Sequence, residues 1–75
     1  MSRGGLVSLF SQRLLELRMQ KKLSQNATAK ELKLGSRTYQ YYESGEREPT
    51  LSTLVRMADF YGVSLDYLAG RTDTP

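Results

Sequence analysis

Four side chains within six residues carry the most telling chemistry of this chain: Ser36, Arg37, Gln40 and Tyr41. None is a strong acid, base or metal ligand, and all are hydrogen-bonding groups. The planar fork of Arg37 can bond the O6 and N7 of a guanine together, and the Gln40 amide can offer a donor and an acceptor to the N6 and N7 of an adenine. Ser36 is short enough to meet a base edge or a phosphate. Tyr41 lies one helical turn beyond Arg37 on the same face and can touch a thymine methyl with its ring or a phosphate with its hydroxyl. Each group has a plainer reading beside this one. Arg37 and Gln40 can bond a phosphate or water instead, and Tyr41 can be a half-exposed aromatic. The chemistry on offer is recognition, without bond making.

The rest of the composition agrees. The chain has 75 residues, no Cys and no His. Disulfides, thiolate metal sites, the commonest metal ligand and the commonest acid/base group are therefore all missing. No nucleophile is paired with a base, and no glycine loop suits a nucleotide phosphate, so the reading is that this is not an enzyme and needs no metal, cofactor or small-molecule ligand. No apolar run approaches the length of a membrane span, and the N-terminus lacks the pattern of a signal peptide. One small domain in a reducing cytoplasm is expected. Net charge is +3, unevenly spread: Met1 to Arg37 holds eight Lys or Arg against two acids, Thr38 to Pro75 three against six. Such polarity suits a polyanion on one side of the fold, or a set of simply solvated basic faces.

Short helices must position these groups. The first seven residues, with Gly4 and Gly5, are expected to form a flexible arm. Phe10, Leu14 and Leu17 recur at helical spacing and predict a first helix over Ser8 to Lys21. Ser24 caps a second, from Gln25 to about Leu32, with Ala29 and Leu32 inward. Lys33-Leu34-Gly35 forms a tight joint to a third helix, Ser36 to Ser44, ended by Gly45 and barred from continuing by Pro49. Tyr39 and Tyr42 fall on its inner face with Thr38 and read as core rather than stacking platforms. Thr50 or Ser52 caps a fourth helix whose apolar stripe is Leu51, Leu54, Met57, Ala58 and Tyr61, ended by Gly62. Ser64 caps a fifth, with Leu65 and Leu68 inward and Gly70 at its end. Residues 8–70 then make one domain, and 71–75 a flexible tail. No strand pattern or repeat is present.

These residues resemble the Cro/CI-type helix-turn-helix regulators, also called the XRE family. The similarity runs from about Phe10 to Arg71 and rests on features in order: the phase of Phe10, Leu14, Leu17 and Arg18; Leu23-Ser24-Gln25; Ala29 with Leu32; Tyr42-Glu43-x-Gly45-x-Arg47-x-Pro49; and the stretch from Leu54 through Tyr61-Gly62-Val63-Ser64-Leu65-Asp66-Tyr67-Leu68. The resemblance implies an all-α, compact five-helix, lambda-repressor-like DNA-binding domain whose helices 2 and 3 form the helix-turn-helix. It implies a sequence-specific regulator of transcription, a repressor by the family's habit, cytoplasmic and encoded by a bacterium or phage. Its partners would be double-stranded DNA with a pseudo-palindromic operator and a second copy of the chain.

By the same resemblance, Ser36, Arg37, Gln40 and Tyr41 occupy base-contact positions in the major groove. Gln25, Lys33, Gly45 and Arg47 occupy phosphate-contact positions, and Arg18 with Glu43 matches an ion pair tying helix 1 to helix 3. Arg13, Lys21, Lys22 and Lys30 are further candidates for phosphate attraction. The chain departs from the pattern at the joint. Lys33 stands where Gly is usual, and Gly35 where Ser or Thr caps helix 3. Either Lys33 takes a positive φ or the glycine has moved and the turn is reshaped. Thr28 replaces a larger aliphatic. Glu46 and Glu48 beside the phosphate path keep open a second reading, a protein-interaction module of the same fold, antitoxin-like or regulator-binding. Two apolar sets are candidates for a dimer face: Val7, Leu15 and Met19, or Val55, Phe60 and Ala69.

Overall fold

The computed structural model describes residues 8–75, so the expected arm at Met1 to Val7 and the Val7 side chain lie outside the described residues. Within them the chain forms five helices and no strand: α1 (Leu9–Gln20), α2 (Gln25–Glu31), α3 (Ser36–Ser44), α4 (Leu51–Tyr61) and α5 (Leu65–Ala69). Hydroxyl side chains start four of them. Ser8, Ser24, Thr50 and Ser64 each accept a bond from the amide three residues on. These caps satisfy amides that have no partner inside the helix. The helix α3 starts without one, because Gly35 has no side chain to offer.

All five helices end alike. The residue after the last turn takes a left-handed conformation, and the next amide reaches back five residues. Lys22 and Lys33 do this at φ 58 and 60, where Gly45, Gly62 and Gly70 do it elsewhere. The returning bonds run from Leu23 to Arg18, Leu34 to Ala29, Glu46 to Tyr41, Val63 to Ala58 and Arg71 to Asp66. Leu34 and Val63 then fold back against the core, as this motif favours. The doubt about the joint is thereby resolved. Lys33 adopts the positive φ itself, and Gly35 sits in ordinary extended backbone at φ −65.

The core is built from Leu14 and Leu17 of α1, Ala29 and Leu32 of α2, Tyr39 and Tyr42 of α3, Met57 and Ala58 of α4, and Leu68 of α5. Periodicity assigned all of them inward. It misplaced Leu51 and Leu65, which are 71% and 37% exposed. Both are the first residue of their helix, where no neighbouring element covers the face that the wheel assigns to the interior. Phe60, expected outside, is half-buried, edge-on to Tyr61 with Lys21 over its ring. Leu15, Met19 and Val55 remain exposed. Thr28 is fully buried, and its Oγ1 has no hydrogen-bond partner.

Arg13 is the largest correction. Expected at the surface, it is buried with its guanidinium 4.0 Å over the Tyr67 ring. Its nitrogens donate to the Tyr67 and Thr72 carbonyls and to the Asp73 carboxylate. Burial of so strong a donor is tolerated because bonds surround it. The segment expected as a loose tail is thereby tied at Thr72 and Asp73 to α1.

Two substitutions isolate the left-handed helix ends. Lys22→Gly is expected to raise stability by about 0.5–1 kcal/mol, since only glycine takes that backbone region without strain. Gly62→Ala is expected to lower it by about 1 kcal/mol, because nothing lies within 4 Å of an added Cβ and only the backbone is affected. Thermal unfolding followed by circular dichroism reads both, and shifts in the reverse directions would refute the assignment.

Candidate nucleic-acid interface

The geometry of α3 sorts its side chains into two sets. Ser36, Arg37 and Gln40 are exposed. Tyr39 and Tyr42, on the opposite side, are core. Polar heads able to bond base edges therefore project from the first turns of a helix whose inner face is fixed. Tyr41 is half-buried, and the Arg47 guanidinium stacks 4.5 Å from its ring centroid. The chain between them supports that stack, because the Glu46 and Arg47 amides both donate to the Tyr41 carbonyl. Arg47 thus sits beside the end of α3, close to Tyr41 although five residues separate them.

At the other end of the motif, Gln25 is the first residue of α2. Its Nε2 donates to the Glu43 Oε1 at 2.9 Å. This bond was not anticipated, since nothing in the spacing says that the start of α2 meets the last turn of α3. It consumes one amide hydrogen and leaves the group its second N–H and its carbonyl oxygen. Lys33 is exposed at the joint, and Gly45 is half-buried at the left-handed end of α3. Lys22 and Lys30 are exposed, as is Lys21, whose ammonium lies over the Phe60 ring, whereas Arg13 is buried against Tyr67. Glu46 and Glu48 both point to solvent.

Arg18 and Glu43 form the expected ion pair. Arg18 Nε donates to Glu43 Oε2 at 2.5 Å and its Nη2 to Oε1 at 3.1 Å, while Nη1 reaches the Leu23 carbonyl at 2.8 Å. The side chains are only 15% and 5% exposed. The two-pronged arrangement fixes distance and angle together. Bonding to Glu43 raises the Arg18 pKa above its ordinary value. For Glu43, burial pushes the pKa up, but bonds from Arg18 and Gln25 and the Arg18 charge outweigh it, leaving the carboxyl below its ordinary 4.5. One carboxylate of α3 thus gathers α1, the α1–α2 junction and the start of α2.

Comparison with known proteins places this arrangement. The family described as Helix-turn-helix matches residues 14–68. The cryptic phage CTXphi transcriptional repressor RstR of Vibrio cholerae is 35% identical over 66 residues, which is 88% of this chain and 60% of that protein. The uncharacterized HTH-type transcriptional regulator YqaE of Bacillus subtilis is 43% identical over 60 residues, 80% of this chain and 52% of that one. The HTH-type transcriptional regulator AnsR of Bacillus subtilis is 44% identical over 59 residues, 79% of this chain and 51% of that one. The chain spans about half to three-fifths of the length of these relatives. No solved structure matches it.

The ion pair yields two expectations. Arg18→Ala leaves a buried carboxylate without its counter-charge and should cost about 3–5 kcal/mol, seen as a melting temperature lower by roughly 12 °C or more in a domain of this size. The pH dependence follows from the sign of the Glu43 shift. Its folded pKa lies below its unfolded one, so the stabilisation is fully present above the ordinary 4.5 and is lost as pH falls through the depressed folded value. Glu43→Gln should flatten that acid limb. An identical limb in denaturant titrations of wild type and variant would show that another group controls it.

Proposed function

The chain belongs to the Cro/CI-type, or XRE, helix-turn-helix family, and from that premise we propose that it is a sequence-specific regulator of transcription reading double-stranded DNA in the major groove with α3. The family is one of DNA-binding proteins without enzymatic activity. One observation carries the finer reading. Ser36, Arg37 and Gln40 project together from an α3 whose rear face is buried and ion-paired. A side chain can discriminate bases only if its own backbone does not yield, and this mounting supplies that stiffness.

Base contacts fall to Ser36, Arg37, Gln40 and Tyr41. Gln25, Lys33, Gly45 and Arg47 bond phosphates on either side and set the register. The α3 N-terminus adds amides that no side chain caps, favourable for an anion. One such helix covers only a few base pairs, so the chain acts as a homodimer on a pseudo-palindrome, with half-sites about 34–36 Å apart. The repressor role follows the name of the Vibrio cholerae relative. The site of action is the bacterial cytoplasm.

Selection of binding sites from randomised DNA, followed by mobility shifts across a salt series, tests this. A two-fold motif should emerge, and affinity should fall by about 0.9 log units per log of salt for each phosphate neutralised. Arg37→Ala should lose about 1–3 kcal/mol of discrimination at one base position only. Equal weakening on every sequence would assign Arg37 to the backbone. Failure to enrich any motif, with a flat salt profile, would favour the protein-interaction reading.

A further inference from the structure

The reader helix has a second polar fastening, one turn before Glu43. Tyr39 is fully buried, and its hydroxyl lies 3.1 Å from that of Tyr61, the last residue of α4. The two fastenings differ in what they hold. Glu43 binds α3 to α1 and the start of α2, and Tyr39 binds it to α4.

Apolar packing restrains a helix by close contact but has no direction of its own. A directional bond is more sensitive to rotation, because hydroxyl bonds weaken with distance and angle. The stakes are geometric. A turn of roughly 10° moves a side-chain tip about 6 Å from the axis by about 1 Å, enough to spoil a two-pronged bond to a base. Burial also raises the pKa of both hydroxyls, Tyr39 and Tyr61, so the pair stays protonated at neutral pH.

We propose that Tyr61 is a positioning residue for base reading: its hydroxyl bond to Tyr39 sets the rotation of α3 and so the aim of Arg37 and Gln40. Tyr61 touches no base in this role. The proposal rests on α3 being the reader. The phenol ring is held separately, edge-on to Phe60 with centroids 4.9 Å apart, so Tyr61→Phe removes the bond and keeps the packing.

Two variants and two readouts decide it. In Tyr61→Phe without DNA, amide hydrogen exchange across Tyr39–Glu43 should quicken several-fold relative to α1. On DNA, the ratio of affinity for selected over random sequence should fall about five- to ten-fold, with an unchanged salt slope because no cation is lost. The Tyr39→Phe, Tyr61→Phe double variant removes both partners and should regain most of the lost melting temperature. Its sequence discrimination should stay impaired. A ratio equal to wild type in both variants, or one that recovers together with stability, would overturn the proposal. If the wild-type chain itself fails to discriminate, the DNA reading falls, and exchange then decides on the fastening alone: quickened exchange upholds it, unchanged exchange overturns it.

Discussion

The Glu43 carboxylate is the point on which this small fold turns. It stands in the last turn of α3, almost fully enclosed, with Arg18 on one side and Gln25 on the other. A carboxylate in that position is costly unless every lone pair is engaged, and here both oxygens are. Three helices must arrive in the right places for the carboxylate to be tolerated. The ion pair is therefore better understood as a selector of one arrangement among similar ones than as a source of stability.

The elements themselves were legible. Ser24, Thr50 and Ser64 mark helix starts, and Gly45, Gly62 and Gly70 mark ends, because capping and left-handed backbone are local chemistry. Tyr39, Tyr42, Leu14 and Met57 fell inward because helical period is also local. The candidate site was legible to the same degree. Ser36, Arg37 and Gln40 are outward because Tyr39 and Tyr42 are inward, and the Arg18–Glu43 pair was readable through family resemblance.

What escaped depends on contacts between elements distant in sequence. Arg13 reads as a surface cation on the wheel, and only the approach of Tyr67 and Thr72, more than fifty residues on, buries it. The Gln25–Glu43 and Tyr39–Tyr61 bonds hinge on ångström-scale placement between helices, which no periodicity encodes. Leu51 failed in the opposite sense: the wheel faces it inward, but the interior ends before reaching it. In a domain this small, the rim is close to every helix terminus.

The stacking of Arg47 on Tyr41 has a separate consequence, for kinetics. An arginine waving freely in water must surrender its rotamers when it settles on an anion, and that loss slows and weakens capture. Lying over the phenol ring, this one has a resting place that favours some rotamers before any anion arrives. Its cation is parked, not searching, when a negatively charged surface arrives. Lysine at the same place would match the charge but not the flat face that rests on the ring. Under the proposed DNA reading, the loop after α3 would contribute timing as well as charge.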